Sequence, residues 1–190
     1  MDQATLKAAC ASTDRIVERV TRDQRELPTP CSEWNVRELS NHLLGTLVLG
    51  QALLADTNPS VEVAPGALPG SDLVGDAPLE AYRAGVESLL AAATGDAVTR
   101  VHTTPLGDMP GPVLAGFTAL DVFVHGWDLA KATGQDPSWD DELAEQILGF
   151  ARQTISDDAG TRAPRIGPEV PCAADAPATQ RLVAFLGRNP

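Results

Sequence analysis

Apolar residues recur at helical spacing along most of the chain. In the first segment Leu6, Cys10, Ile16 and Val20 fall on one stripe, as they do on the buried face of an amphipathic helix. The same periodicity, interrupted by prolines and glycines, predicts further helices downstream. The expected helices span residues 2–21, 36–55, 77–93, 112–134, 140–156 and 179–188.

Several of these helices have recognisable ends. Asn35 and Glu38 form the pattern of a capping box, with Trp34 and Leu39 at the positions of a hydrophobic staple. Pro112 suits the first turn of the fourth helix, and Gly134 marks its end. These signals favour a helix at each place over a buried strand.

Two regions have no helical pattern. Residues 56–76 are rich in proline and glycine, and a loop of this length either lies over a site or is a poorly ordered insertion. Residues 97–112 alternate briefly, which predicts one short extended segment. The fold class that follows is all-α: a four-helix bundle of the first four helices with additional short helices, forming a single domain over residues 1–190. Bundles of this kind often build metal sites from side chains on facing helices.

Composition narrows the possible functions. The formal net charge is −12, which argues against nucleic acid or an anionic membrane surface as a partner. No apolar run approaches the roughly 18 residues of a membrane span, and the first residues lack the pattern of a secretory signal. Three sparse cysteines fit reduced thiols better than a disulfide framework. We therefore expect a cytoplasmic protein.

The fourth helix carries polar side chains on an otherwise apolar segment. Asp121 and His125 are four residues apart, so their side chains are neighbours on one helix face. Two ligands at that spacing can hold one metal ion, although a plain ion pair is the simpler alternative. Asp128 lies one turn further along and can orient a ligand imidazole, bond to backbone or face solvent.

A third ligand must come from elsewhere, and the chain has only three histidines. His42, in the middle of the second helix among apolar neighbours, is the predicted partner, although a core histidine with satisfied nitrogens is the alternative. His102 follows a predicted loop, and we expect it to be exposed rather than ligating. His42, Asp121 and His125 would suit Zn²⁺ first and Ni²⁺ second, and three protein ligands leave positions for water or substrate.

Other reactive or bulky residues are assigned structural roles. Cys31 precedes the helix of His42, but the sequence names no group to activate it, so it is interpreted as a buried structural thiol. The three tryptophans are expected to be packing residues. No phosphate-binding glycine loop, Gly-x-Ser-x-Gly turn or Cys-x-x-Cys pair is present.

Three segments in order resemble a known family. "TPCSEWNVRELSNHLLG", "ALDVFVHGWDLAKATG" and "ADAPATQRLVAFLGRNP" are similar to actinobacterial proteins related to the N-terminal, metal-binding domain of mycothiol-dependent maleylpyruvate isomerase, within the DinB-like group of four-helix bundles. The resemblance covers most of the chain. It implies metal ligands at His42, Asp121 and His125, the same three residues that helix spacing indicates. The isomerase pattern has glutamate at the position of Asp121.

The resemblance implies a divalent-metal-dependent enzyme that uses a low-molecular-weight thiol, such as mycothiol, for S-transfer or isomerisation of an electrophilic substrate. A metal-dependent hydrolase is the alternative within enzymes. A bundle that binds a metal or ligand for sensing, storage or assembly is the alternative outside them. A monomer or a homodimer is expected, and no general base is identified.

Overall fold

A computed structural model of the chain describes residues 1–32, 34–57, 72–104, 107–137, 139–156 and 166–190. Most of the predicted loop at 56–76 lies outside these residues. Within them the protein is predominantly helical, so the all-α prediction is confirmed. The helices are α1 (Gln3–Val17), α2 (Val36–Leu54), α3 (Pro78–Ala92), α4 (Gly111–Thr133), α5 (Asp141–Thr154) and α6 (Ala178–Phe185).

The first four helices form a four-helix bundle. Helix α1 packs against α4 and α3, and α2 also packs against α4 and α3. The core between them is made of fully buried aliphatic and aromatic side chains, among them Leu6, Leu39, Leu47, Leu89 and Phe123. Burial of such side chains is the main stabilising contribution to a bundle. Because α2 and α4 are neighbours, side chains on their facing sides meet.

The ends of α2 and α4 follow the predicted local chemistry. The Asn35 side chain accepts a hydrogen bond from the backbone of Glu38, and the Glu38 carboxylate accepts one from the backbone of Asn35. Gly134 ends α4 in the left-handed conformation with φ of 70°, which glycine adopts at little cost. The capping box therefore fixes where α2 begins, one to two turns before His42.

Helix α1 is shorter than its apolar stripe predicts. It ends at Val17 instead of continuing to residue 21, and a short 3-10 helix follows at Arg22–Gln24. The Gln24 side chain accepts a hydrogen bond from the backbone of Thr21, so this turn has a capping box of its own after the end of α1.

The region expected to hold one extended segment contains two strands. Strand β1 (Val101–Thr104) pairs antiparallel with β2 (Gly107–Pro110), with His102 opposite Met109. In β1 the side chains alternate between exposed and buried, and His102 and Thr104 are the buried ones. This alternation determines where His102 points.

By length and composition, helix α4 could cross a membrane. However, 83% of its most apolar 18-residue stretch is buried inside the protein. That burial is typical of the core helix of a soluble bundle. The polar residues Asp121, His125 and Asp128 therefore lie on the most buried helix of the bundle.

The chain divides into two compact units, Met1–Pro137 and Ser138–Pro190. The first contains the four-helix bundle and the hairpin. In the second, α5 packs against α6, and Gly187 lies so close to Gly167 that an added Cβ would come within 2.6 Å of its Cα atom. The single domain over residues 1–190 stays a prediction.

Candidate metal centre

Facing sides of α2 and α4 bring the three predicted ligands together. Asp121 and His125 are one turn apart on α4, and His42 lies in the middle of α2. Nε2 of His42 is 3.2 Å from Oδ2 of Asp121, and Nε2 of His125 is 3.4 Å from Oδ1 of the same carboxylate. The two imidazole rings meet nearly perpendicularly, with centroids 4.8 Å apart. One donor atom from each residue lies within 4.8 Å of the others.

The cluster is closed on the histidine side and open at the carboxylate. The side chains of His42 and His125 are 8% and 9% exposed, whereas that of Asp121 is 35% exposed. The Thr46 hydroxyl donates a hydrogen bond to Oδ2 of Asp121, which fixes one edge of the carboxylate. Solvent, and any small molecule, therefore reaches the cluster along Asp121.

Asp121 and His125, both on α4, stabilise each other's charge. Burial disfavours ionisation of both side chains, but their mutual attraction outweighs it. Burial would raise the pKa of Asp121, yet His125 and then His42 hold that pKa well below its usual range. Burial would lower the pKa of His125, yet Asp121 holds it well above its usual range. The cluster is therefore built to hold positive charge next to the carboxylate.

Asp128 occupies the position expected of a group that orients His125. Its side chain is fully buried, and its Oδ2 atom lies 3.0 Å from Nδ1 of His125. An ionised carboxylate only accepts hydrogen bonds, so with Asp128 ionised the proton of this contact lies on Nδ1. In the neutral ring, Nε2 then presents its lone pair towards His42 and Asp121. In metal sites, the ring nitrogen of a ligand histidine that does not bind the metal commonly donates its N–H to a carboxylate.

Cys31 also reaches this cluster, which differs from its interpretation as a buried structural thiol. It is half-buried, and its Sγ donates a hydrogen bond to Oδ2 of Asp128 at 3.2 Å. The same sulfur is 3.7 Å from Nδ1 of His125. The turn before α2 holds it there: the Thr29 hydroxyl accepts from the backbone N–H of Cys31 and donates to the carbonyls of Cys31 and Trp34.

The same turn places Trp34 over the site, where the sequence suggested only packing. Its ring stacks on His42 with centroids 4.4 Å apart, and its edge approaches His125 at 5.9 Å. An aromatic ring on the face of an imidazole restricts the rotation of that imidazole and keeps water from its flat side. One sequence signal was available: Trp34 and Cys31 both lie in the short "TPCSEW" segment that leads into the helix of His42.

His102 is elsewhere, and its predicted exposure is wrong. It is 1% exposed, because the alternation of β1 turns it inward. Its Nδ1 lies 2.7 Å from Oδ1 of Asp56, and its Nε2 lies 2.7 Å from the carbonyl oxygen of Ala97. Both ring nitrogens therefore have oxygen partners: Asp56 ties the hairpin to the end of α2, and Ala97 ties it to the segment between α3 and β1.

Comparison with known proteins gives one family. Residues 6–130, which include His42, Asp121, His125 and Asp128, match the family described as "Mycothiol maleylpyruvate isomerase N-terminal domain". No solved structure matches the chain significantly.

Two relatives come from Mycobacterium tuberculosis: "Uncharacterized protein Rv0738" of strain ATCC 25618 / H37Rv and "Uncharacterized protein MT0763" of strain CDC 1551 / Oshkosh. Each is 36% identical over 174 residues, which cover 92% of this chain and 90% of the relative. On the matching residues and this similarity, the chain belongs to the mycothiol maleylpyruvate isomerase N-terminal domain family.

Proposed function

We propose that the protein is a divalent-metal-dependent enzyme that uses a low-molecular-weight thiol, such as mycothiol, to transfer sulfur to an electrophile or to isomerise it. The observation that carries the proposal is the convergence of His42, Asp121 and His125 from two helices at a partly open face. Helical bundles commonly build metal sites from side chains on facing helices, as these three residues are arranged.

The donor set fits a first-row divalent cation. For tetrahedral zinc with N and O ligands, bond lengths near 2.1 Å place neighbouring donor atoms about 3.4 Å apart. Nε2 of His42 lies 3.2 Å from Oδ2 of Asp121 and Nε2 of His125 lies 3.4 Å from Oδ1, so each imidazole is near that distance from one carboxylate oxygen. All three donor atoms lie within 4.8 Å of one another. Two imidazoles and one carboxylate suit Zn²⁺, and Ni²⁺ is the second choice.

An open position at this set supports catalysis over a purely structural role. Structural zinc sites are closed by four protein ligands, whereas catalytic sites have three and an accessible position. The 35% exposure of Asp121 gives a small molecule access from one side. A divalent cation at this set would favour the thiolate form of a coordinated thiol near neutral pH.

The chain's own residues have distinct tasks in this proposal. Asp128 holds the Nδ1 proton of His125 and keeps Nε2 directed at the open face. Trp34 covers one face of His42. Thr46 holds the Asp121 carboxylate by donating a hydrogen bond. These contacts position the ligands before any substrate arrives, which lowers the cost of assembling the site.

The family description and the reduced cysteines of the chain support a thiol as the co-substrate. The matching family is described by the name of a mycothiol-using isomerase. None of the chain's cysteines is in a disulfide, as expected for the reducing cytoplasm that we propose as its location.

Thiol consumption tests the proposal. Metal-loaded protein is mixed with mycothiol and an electrophile such as a chlorinated nitrobenzene, and the remaining thiol is quantified with monobromobimane. We expect turnover with the wild type and with His102→Gln, whose histidine lies in the hairpin, and none above background with His125→Ala or with metal-free protein. Metal retention without turnover across a broad panel of electrophiles would instead favour a non-catalytic binding bundle, and ester or amide cleavage without thiol would favour a hydrolase.

A further inference from the structure

His125 faces acidic or thiol groups on both edges of its ring. Its Nε2 edge faces His42 and Asp121, and its Nδ1 edge faces Cys31 and Asp128. On the second edge, Sγ of Cys31 is 3.2 Å from Oδ2 of Asp128 and 3.7 Å from Nδ1 of His125, and Nδ1 is 3.0 Å from Oδ2. Sulfur, nitrogen and oxygen donors thus form a small triangle beside the first ligand set.

The triangle has the size of a tetrahedral metal face. With Zn–S near 2.3 Å and Zn–N and Zn–O near 2.1 Å, the edges to sulfur come to about 3.6 Å and the remaining edge to about 3.4 Å. All three observed edges lie within about 0.5 Å of these values. The 3.7 Å contact between Sγ and Nδ1 closes the triangle, so each donor atom lies within reach of the other two.

The surroundings also suit a bound cation. Asp128 is fully buried and His125 nearly so, and burial strengthens the attraction between a cation and a carboxylate. Cys31 is half-buried at the rim, which leaves a path for entry. The Thr29 hydroxyl fixes the backbone on both sides of the thiol, so the sulfur is held in place without the cation.

We propose that Cys31, His125 and Asp128 form a second cation site that selects thiophilic ions such as Zn²⁺, Cd²⁺ or Co²⁺. The ion takes the place of two protons, one on Sγ of Cys31 and one on Nδ1 of His125. Thiolate is the soft ligand in the set and sets the selectivity against Mg²⁺ and Ca²⁺, which prefer oxygen. The two ligand sets share His125 and no other residue, and Asp128 holds the Nδ1 proton of His125 only while the second site is empty.

Cobalt titration of the protein tests this site without an activity assay. A thiolate bound to Co²⁺ gives an intense ultraviolet charge-transfer band that nitrogen and oxygen ligands do not give. The experiment uses a Cys172→Ser background, which removes the exposed cysteine; Cys10 stays, since burial raises the pKa of its thiol to about 12. We expect the band in this background, its loss in Cys31→Ser, and its persistence when His42→Ala removes a ligand of the other set.

Alkylation of the unmutated protein gives a second measurement that no folding defect can affect. Mass spectrometry follows iodoacetamide labelling at Cys31 with and without saturating Co²⁺, with Cys172 as the internal control. We expect labelling of Cys31 to slow at least tenfold with no change at Cys172. Cobalt that binds with no sulfur band and no protection of Cys31 would overturn the second site and leave the proposed function intact. Loss of the band in His42→Ala would also overturn the second site as an independent ligand set. Absence of turnover in a protein that shows both the band and the protection of Cys31 would contradict the proposed function alone.

Discussion

The His42→Ala variant is expected to bind Zn²⁺ more than about 100-fold more weakly at the site of His42, Asp121 and His125 than the wild type does. Removal of a partner that only orients a ligand typically costs about 10–100-fold in metal affinity, so loss of a ligand exceeds that range. His42 is the only ligand in this set from α2, and without it the cation is held by two neighbouring α4 side chains alone. Competition with a chromophoric chelator in the Cys31→Ser background isolates this set from the second cation site.

The matched control is His102→Gln. This histidine is also buried in the first unit, but its nitrogens contact Asp56 and Ala97, not the cluster. We expect its zinc affinity to stay within about threefold of the wild-type value, within the usual context dependence of such measurements. Circular dichroism of both variants checks that the bundle is intact. Equal affinity of His42→Ala and wild type would remove α2 from the site and contradict the ligand assignment.

Asp128→Ala is expected to weaken zinc binding at the site of His42, Asp121 and His125 by about 10–100-fold, although Asp128 is not one of the three ligands. The buried carboxylate holds the Nδ1 proton of His125, and alanine leaves the ring without that partner. The apoprotein should also lose about 1–3 kcal/mol of its free energy of unfolding, because the buried His125 N–H and the half-buried Cys31 thiol lose their acceptor. Chelator competition, again in the Cys31→Ser background, and urea denaturation measure the two effects separately.

Two further variants separate the effect of Asp128 on the orientation of His125 from the effect of losing a negative charge. An asparagine side chain keeps an acceptor oxygen, so Asp128→Asn should recover part of the affinity that Asp128→Ala loses. Asp175→Ala removes an exposed carboxylate in the second unit and should leave zinc affinity unchanged. If Asp128→Ala binds zinc as tightly as wild type while remaining folded, Asp128 has no part in orienting His125.

Much of the bundle could be read from the sequence because its signals are local. Helical apolar spacing gives α2 and α4 to within about two residues, and the capping box at Asn35 and the left-handed Gly134 mark their ends. The pair Asp121 and His125 follows from spacing of four residues on a helix. His42 could be chosen as their neighbour since only three histidines exist and two lie on apolar helices.

The spacing of residues along the sequence does not predict the features of the site that depend on turns and on strand pairing. The position of Cys31 depends on hydrogen bonds between the Thr29 hydroxyl and three backbone groups, which no periodic pattern encodes. The stacking of Trp34 on His42 depends on the same turn. The burial of His102 follows from a hairpin whose strands are four residues each, too short for alternation to stand out.

Anomalous X-ray diffraction shows whether His42, Asp121 and His125 bind one cation. Crystals of protein purified without a chelating tag and supplied with zinc are measured on both sides of the zinc absorption edge. The account predicts an anomalous peak about 2.0–2.2 Å from Nε2 of His42, Nε2 of His125 and a carboxylate oxygen of Asp121. Zinc-soaked crystals with no peak between these three side chains would contradict it.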